Sequence, residues 1–160
     1  MPRIMLHDAA ATRRAGRLLA RAVTECGPTA LLLHGALGSG KTALTRALAE
    51  SLPGGDKAEA ASPTFTLCNM YPTTPPMLHC DLYRCPGSPP EELLDGLDDA
   101  RALTVVEWAE YLPAADLPQD YLDIELQACE EQRLLTLRAC GPVASGILRM
   151  LLDAWPAQEA

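Results

Sequence analysis

Apolar positions along this chain follow two rhythms, and their alternation outlines the fold. Ile4–Leu6 is short enough for an opening strand. Asp8 or Thr12 can cap a helix running to about Glu25, with Leu18, Leu19, Ala22 and Val23 on one side, before Gly27-Pro28 stops it. Thr29–His34, TALLLH, is almost continuously apolar and followed by glycine, as a strand buried on both faces of a sheet requires. From Lys41 the rhythm turns helical, with Leu44, Leu48 and Leu52 four residues apart, until Pro53-Gly54-Gly55 ends it.

Leu67–Tyr71 and Met77–Tyr83 read as two strands joined through the turn-rich Pro72–Pro76. Pro89-Pro90 opens a short acidic helix, Glu91–Leu97, whose charge suits a helix N-terminus. Leu103–Val106 is another buried strand and leads directly into Glu107-Trp108; Tyr111–Pro118, rich in Pro and Ala, reads as surface loop. Leu122, Ile124 and Leu126 alternate with polar residues, as do Leu135 and Leu137, with the polar Glu130–Arg133 between them. That pattern predicts an antiparallel hairpin. After Gly141-Pro142 the segment Val143–Ala154 returns as a helix. The expected architecture is one α/β domain over residues 1–160, with a mixed, mostly parallel central sheet, helices on both sides and a C-terminal antiparallel hairpin.

Composition narrows the possibilities. Only 4% of residues are aromatic against 48% hydrophobic, so the core must be aliphatic. Gripping nucleic acid normally needs a broad basic face, and the net charge here is −8. Arg13, Arg14, Arg17 and Arg21 recur at helical spacing and read as a solvated helix face, so any service to RNA should pass through a partner. The six cysteines include no C-x-x-C pair, and Cys68, His79, Cys80 and Cys85 match no zinc template. They read as reduced thiols of an intracellular protein. MPRIMLHD lacks the apolar stretch of a signal peptide, and no window approaches 18 uninterrupted apolar residues, so no membrane span and a cytoplasmic location are expected.

The chemistry concentrates at Gly35-Ala36-Leu37-Gly38-Ser39-Gly40-Lys41-Thr42, which fits G-x-x-x-x-G-K-[ST] at every fixed position. Glycines let the backbone turn its N–H groups inward as an anion cradle. Lys41 is suited to reach the β- and γ-phosphates, and Thr42 to offer a hydroxyl to Mg²⁺, with the positive end of the following helix aimed at the phosphates. A chance match in a chain of this length has odds of roughly half a per cent. The motif also has the strand before it and the helix after it that its geometry needs. ATP with Mg²⁺ is therefore the expected ligand; no guanine-reading N-K-x-D occurs in the chain.

Such a loop needs a carboxylate for the metal shell and a group to orient the attacking water. Asp81 and Glu107 lie at or near strand ends and are the candidates, with the division of roles between them open. Arg84 is an alternative partner for Asp81. Ser62–Thr66, SPTFT, offers hydroxyls in a loop after the first phosphate-loop helix and reads as a switch ordered by the γ-phosphate, or as a capped turn. His34 reads as a packed strand residue; His79, two residues from Asp81, reads as structural with a site role left open; Trp108 alone would read as core.

GALGSGKT, SPTFTL at Ser62–Leu67, HCDLYR at His79–Arg84 and EW at Glu107-Trp108, in this order, closely resemble the bacterial TsaE (YjeE) family over roughly residues 3–140. The resemblance implies a P-loop NTPase-like three-layer domain and a slow ATPase. It would serve formation of threonylcarbamoyladenosine at position 37 of tRNA, alongside TsaB- and TsaD-like subunits, of which the TsaD-like one transfers the threonylcarbamoyl group. It implies that Leu37, Gly38, Ser39, Gly40, Lys41 and Thr42 hold the phosphates and that Thr42 and Glu107 hold Mg²⁺. Asp81 would stand near the metal or water, Thr64 in the first switch, and Trp108 at the nucleotide and partner surface. Thr12 and Arg133 resemble positions near the nucleoside, although Gln132 stands where family members often carry Gly. Two other readings are open: a small-molecule kinase, which would want an Arg-rich lid that the scattered Arg101, Arg133, Arg138 and Arg149 do not supply, and a non-catalytic ATP-dependent switch.

Overall fold

The computed structural model describes residues 1–57 and 67–156. Within them seven strands form one sheet: β1 (Arg3–Leu6), β2 (Ala30–His34), β3 (Cys68–Tyr71), β4 (Met77–Asp81), β5 (Leu103–Glu107), β6 (Tyr121–Cys129) and β7 (Gln132–Cys140). The helices are α1 (Ala9–Cys26), α2 (Lys41–Ser51), α3 (Glu91–Asp98) and α4 (Pro142–Ala154). The strand order is β1-β7-β6-β2-β5-β4-β3. The centre, β6-β2-β5-β4, is parallel, and the flanking pairs β1-β7, β7-β6 and β4-β3 are antiparallel. The expected mixed α/β sheet and its late hairpin are both present.

Side-chain parity sorts the core into two layers. Leu31 and Leu33 of β2, with Leu103 and Val105 of β5, pack toward α1, α2 and α4. Ala30, Leu32 and Val106 pack on the opposite face with Leu93 of α3. Alternate residues of a strand face opposite sides, so a fully apolar strand serves both layers at once.

Local chemistry fixes the helix that borders the site. Asp8, not Thr12, caps α1: its Oδ1 accepts from the Ala11 N–H at 2.8 Å. Thr12 is left one turn inside the helix. Gly16 allows α1 to lie close on α2, since a Cβ there would stand 2.5 Å from the Ala47 Cβ. At the far end of the sheet, Asp120 accepts from the Val143 and Ala144 N–H groups of α4 at 2.9 Å each and from Thr29 Oγ1 at 2.6 Å.

Several expectations need adjusting. β4 stops at Asp81 rather than Tyr83, and Tyr111–Pro118 is not featureless, since two short 3₁₀ turns, Ala109–Tyr111 and Ala114–Asp116, overlap it. The sulfurs are not all reduced thiols. Cys68 and Cys80 stand directly opposite in the β3-β4 pair, their Cα atoms 4.1 Å apart, and are joined as a disulfide. Cys26, Cys85, Cys129 and Cys140 are free. Among the described residues no helix is long and apolar enough to cross a membrane.

Candidate nucleotide site

The C-terminal ends of the parallel strands define the site. Register sets Leu33 of β2 and Asp81 of β4 on either side of Glu107 of β5. The chain leaves β2 through Gly35–Gly40 and enters α2 at Lys41. Gly35 has φ 144°, and a Cβ on it would lie 2.5 Å from the Leu126 carbonyl oxygen and 2.6 Å from Ser39 Oγ. Only glycine passes this close to β6 at that backbone angle. Ser39 is buried beneath the loop, while Leu37 is 81% exposed at its tip.

Lys41 is buried, and all three of its donors have partners in the loop, the weakest being Ser39 Oγ at 3.4 Å. Its Nζ donates to the carbonyl oxygens of Gly35 and Ala36, the latter at 2.9 Å. The ammonium is thereby held under the cradle, and the long contact to Ser39 Oγ is the one an anion would most readily replace. The Trp108 ring centroid lies 4.2 Å from the same Nζ. Burial lowers the Lys41 pKa from its ordinary value, opposed in turn by the negative charges of Glu110, Glu107 and Asp81.

Thr42 Oγ1 donates to Glu107 Oε1 at 2.8 Å. A hydroxyl and a carboxylate oxygen are hard donors of the kind Mg²⁺ takes, and Mg²⁺ generally asks a protein for only one or two carboxylates. These two groups therefore fit that ion. The other Glu107 oxygen, Oε2, is in contact with His79 Nε2, and both residues are 2% exposed. His79, expected to be structural, thus touches a site carboxylate. Asp81 is half-buried on the same face, and its Oδ1 accepts from the Tyr83 N–H at 2.9 Å.

Trp108 follows Glu107 in a left-handed conformation, φ 57° and ψ 44°, which L-residues seldom adopt. The turn swings its ring back over Lys41, where it packs on Tyr111 at 5.6 Å and Tyr83 at 5.0 Å between centroids. It also brings Glu110 to the loop, where Oε2 accepts from the Gly35 N–H at 3.4 Å. Sequence reasoning missed Glu110; its place three residues beyond a strand-end carboxylate was the available signal.

Thr12 and Arg133 stand apart from this group. Both line a cavity of about 440 Å³ between α1, α2 and the β6-β7 turn, with Gly40, Arg13, Arg46 and Glu50. Arg133 Nη2 reaches the Gly38 carbonyl at 3.4 Å, and with Gly40 in the lining the cavity borders the phosphate loop. Arg13 lines the cavity too and Arg14 lies over the Trp155 ring at 5.6 Å, while Arg13, Arg14, Arg17 and Arg21 are all exposed, as a solvated helix face requires. His34 Nε2 pairs with Asp123 Oδ1 at 2.9 Å, in keeping with a packed strand residue. Thr64 and the rest of Ser62–Thr66 lie outside the described residues.

A glycine-bearing cradle between a buried parallel strand and a helix, with strand-end carboxylates facing it, defines a phosphate-loop α/β domain of the NTPase class. Within that class the family can be stated. The chain belongs to the TsaE family: the family model described as threonylcarbamoyl adenosine biosynthesis protein TsaE matches residues 6–135. It is similar to the tRNA threonylcarbamoyladenosine biosynthesis protein TsaE of Synechocystis sp., 40% identical over 114 residues, covering 68% of this chain and 70% of that one. The protein of the same name from Mycobacterium bovis is 36% identical over 113 residues, 64% of this chain, and the match spans 66% of that relative's length. The crystal structure of YdiB from Bacillus subtilis is similar across 95% of this chain and 94% of that one, with a TM-score of 0.72 at 27% identity.

Proposed function

We propose that this chain binds ATP with Mg²⁺ at the phosphate loop and hydrolyses it, in support of threonylcarbamoyladenosine formation on tRNA, the process its relatives are named for. The observation that carries this reading is the 2.8 Å bond between Thr42 Oγ1 and Glu107 Oε1 beside the committed ammonium of Lys41. Few folds other than phosphate loops bring a hydroxyl, a carboxylate and a restrained ammonium to the mouth of one amide cradle.

Each residue then has a task. Amides from Leu37 to Thr42 bind the phosphate oxygens, and Lys41 exchanges its long contact with Ser39 Oγ for the β- and γ-phosphates. Thr42 and Glu107 hold the cation; when bound, Mg²⁺ supplies charge compensation at the phosphoryl oxygens. Asp81, half-buried on the adjacent strand and same face, orients the attacking water. The cavity beyond Gly40, about 440 Å³, is within the usual size for a small-molecule site and takes the nucleoside, with Thr12 and Arg133 beside it. Trp108 keeps water from the ammonium.

The −8 net charge argues against a direct grip on tRNA. TsaB- and TsaD-like subunits would make that contact, in the cytoplasm, and the exposed Leu37 and Tyr83 near the loop suit a protein surface. The test is Glu107→Ala, with ATP binding, hydrolysis and reconstituted tRNA modification measured separately. Hydrolysis and modification should fall together while metal-free nucleotide binding persists. Normal modification without hydrolysis would refute the ATPase step. Recovery of a threonylcarbamoyl-transfer subunit with the tagged chain would support the partners.

A further inference from the structure

We propose that His79 is a positioning residue for Glu107: its Nε2–H holds one carboxylate oxygen in place, so that the other is presented to Thr42 and the cation. This rests on the reading of Glu107 as a metal ligand given above.

The argument begins with parity. Met77, His79 and Asp81 point to one face of β4, and Leu103, Val105 and Glu107 to the same face of β5. Register pairs His79 with Val105 and Asp81 with Glu107, which makes His79 and Glu107 diagonal neighbours inside the layer. Met77, Leu103 and Val105, which share that face of β4 and β5, are apolar. An imidazole here needs a reason beyond filling space.

Hydrogen-bond inventory supplies it. An ionised carboxylate only accepts, so the His79 nitrogen that meets Oε2 must carry the proton. The other nitrogen, Nδ1, is buried with no hydrogen-bond partner among the described residues. A buried unpartnered nitrogen is costly, and the contact with Glu107 is the compensating interaction on the ring. Tyr71 lies along the imidazole, with centroids 6.3 Å apart and planes 30° from parallel, which limits its rotation.

The consequence falls on the carboxylate. With Oε2 held by His79 and Oε1 accepting from Thr42, Glu107 is bonded at both ends and does not swing. When the Thr42 hydroxyl turns a lone pair outward, Oε1 is released and Oε2 is not. One oxygen is thus offered in a fixed direction. Groups that orient a metal ligand in this way typically contribute 10- to 100-fold in metal affinity.

The experiment measures how much MgCl₂ tightens binding of a non-hydrolysable ATP analogue relative to EDTA, by calorimetry on the full chain. His79→Leu should lose about 10- to 100-fold of that magnesium-dependent gain, with affinity in EDTA unchanged. His79→Gln, whose terminal amide reaches as far as Nε2, should keep most of the gain. His79→Asn, whose amide stops at the depth of Nδ1, should lose it. The Gln and Asn pair carries the test even if the leucine variant does not fold. Equal magnesium-dependent gains in wild type, His79→Leu and His79→Asn would overturn the inference alone. Absence of any such gain in wild type would instead overturn the reading of Thr42 and Glu107 as metal ligands.

Discussion

Replacing Trp108 separates two roles that one residue combines. Its backbone sits at φ 57°, ψ 44°, where a residue with a Cβ is strained by about 1–2 kcal/mol and glycine is not. Its ring lies over Lys41 Nζ at 4.2 Å and packs on Tyr83 and Tyr111. Trp108→Ala removes the ring and keeps the strain; Trp108→Gly removes the ring and releases the strain. Loss of the ring should destabilise both variants by about 2 kcal/mol, since each aromatic contact is worth ~0.5–1.5 kcal/mol and the residue is only half-buried. Set against the greater freedom of glycine in the unfolded chain, relief of strain leaves the Gly variant more stable than the Ala variant by about 0.5–1 kcal/mol. That difference corresponds to about 1–4 °C in Tm for a chain of this size. Nucleotide affinity should behave differently, falling up to about tenfold and equally in the two variants, because both lose the contact with the ammonium. Thermal melts of the free proteins and calorimetric titration with the ATP analogue read the two quantities independently. An Ala variant as stable as the Gly variant would refute the strain argument, and wild-type affinity in both would refute the role given to the ring.

Asp120→Ala should destabilise the fold by about 2 kcal/mol through loss of the α4 cap and the Thr29 bond. It should leave nucleotide affinity intact, since Asp120 lies at the opposite end of the sheet; denaturant titration with and without nucleotide checks both parts. Burial pushes the Asp123 pKa up, but bonds from His34 and Arg138 outweigh it and hold the group below its ordinary 3.8. A depressed carboxylate stabilises above its unfolded pKa and loses that contribution as pH falls through the folded one. Wild type should therefore lose stability below pH 3.8 more steeply than Asp123→Asn, in acid melts of the two proteins. Thiol titration of the denatured, unreduced chain should count the four free cysteines, and reduction should add Cys68 and Cys80; six thiols before reduction would refute that bond.

Elements whose character lies in their own residues were legible from the sequence. TALLLH is apolar enough to serve both core layers, and the glycines after it admit one backbone path, so β2, the loop and α2 follow directly. The alternation in β6 and β7 encodes one covered face, hence the hairpin. Glu107 was visible because an apolar run ended in a carboxylate. What depended on pairing was not legible. That His79 reaches Glu107 follows from the β4-β5 register, and that Cys68 meets Cys80 follows from the β3-β4 register; neither offset is written in either strand alone. The same holds for the insertion of the hairpin between β1 and β2, which makes β1 an edge strand on β7 rather than a neighbour of β2. Whether Asp8 or Thr12 capped α1 was settled by which side chain met the free amides.

The shared register of Leu33, Glu107 and Asp81 constrains how this chain can vary in length. Odd-numbered insertions or deletions within β5 would exchange the sides occupied by Val106 and Glu107, sending a carboxylate toward the α3 layer and a methyl-bearing residue toward the cradle. Even-numbered changes keep the facing and alter only the reach. Natural length variation should therefore accumulate in the connections around α3 and after Tyr111 and spare the strands that end at the phosphates, whatever their residue-by-residue divergence.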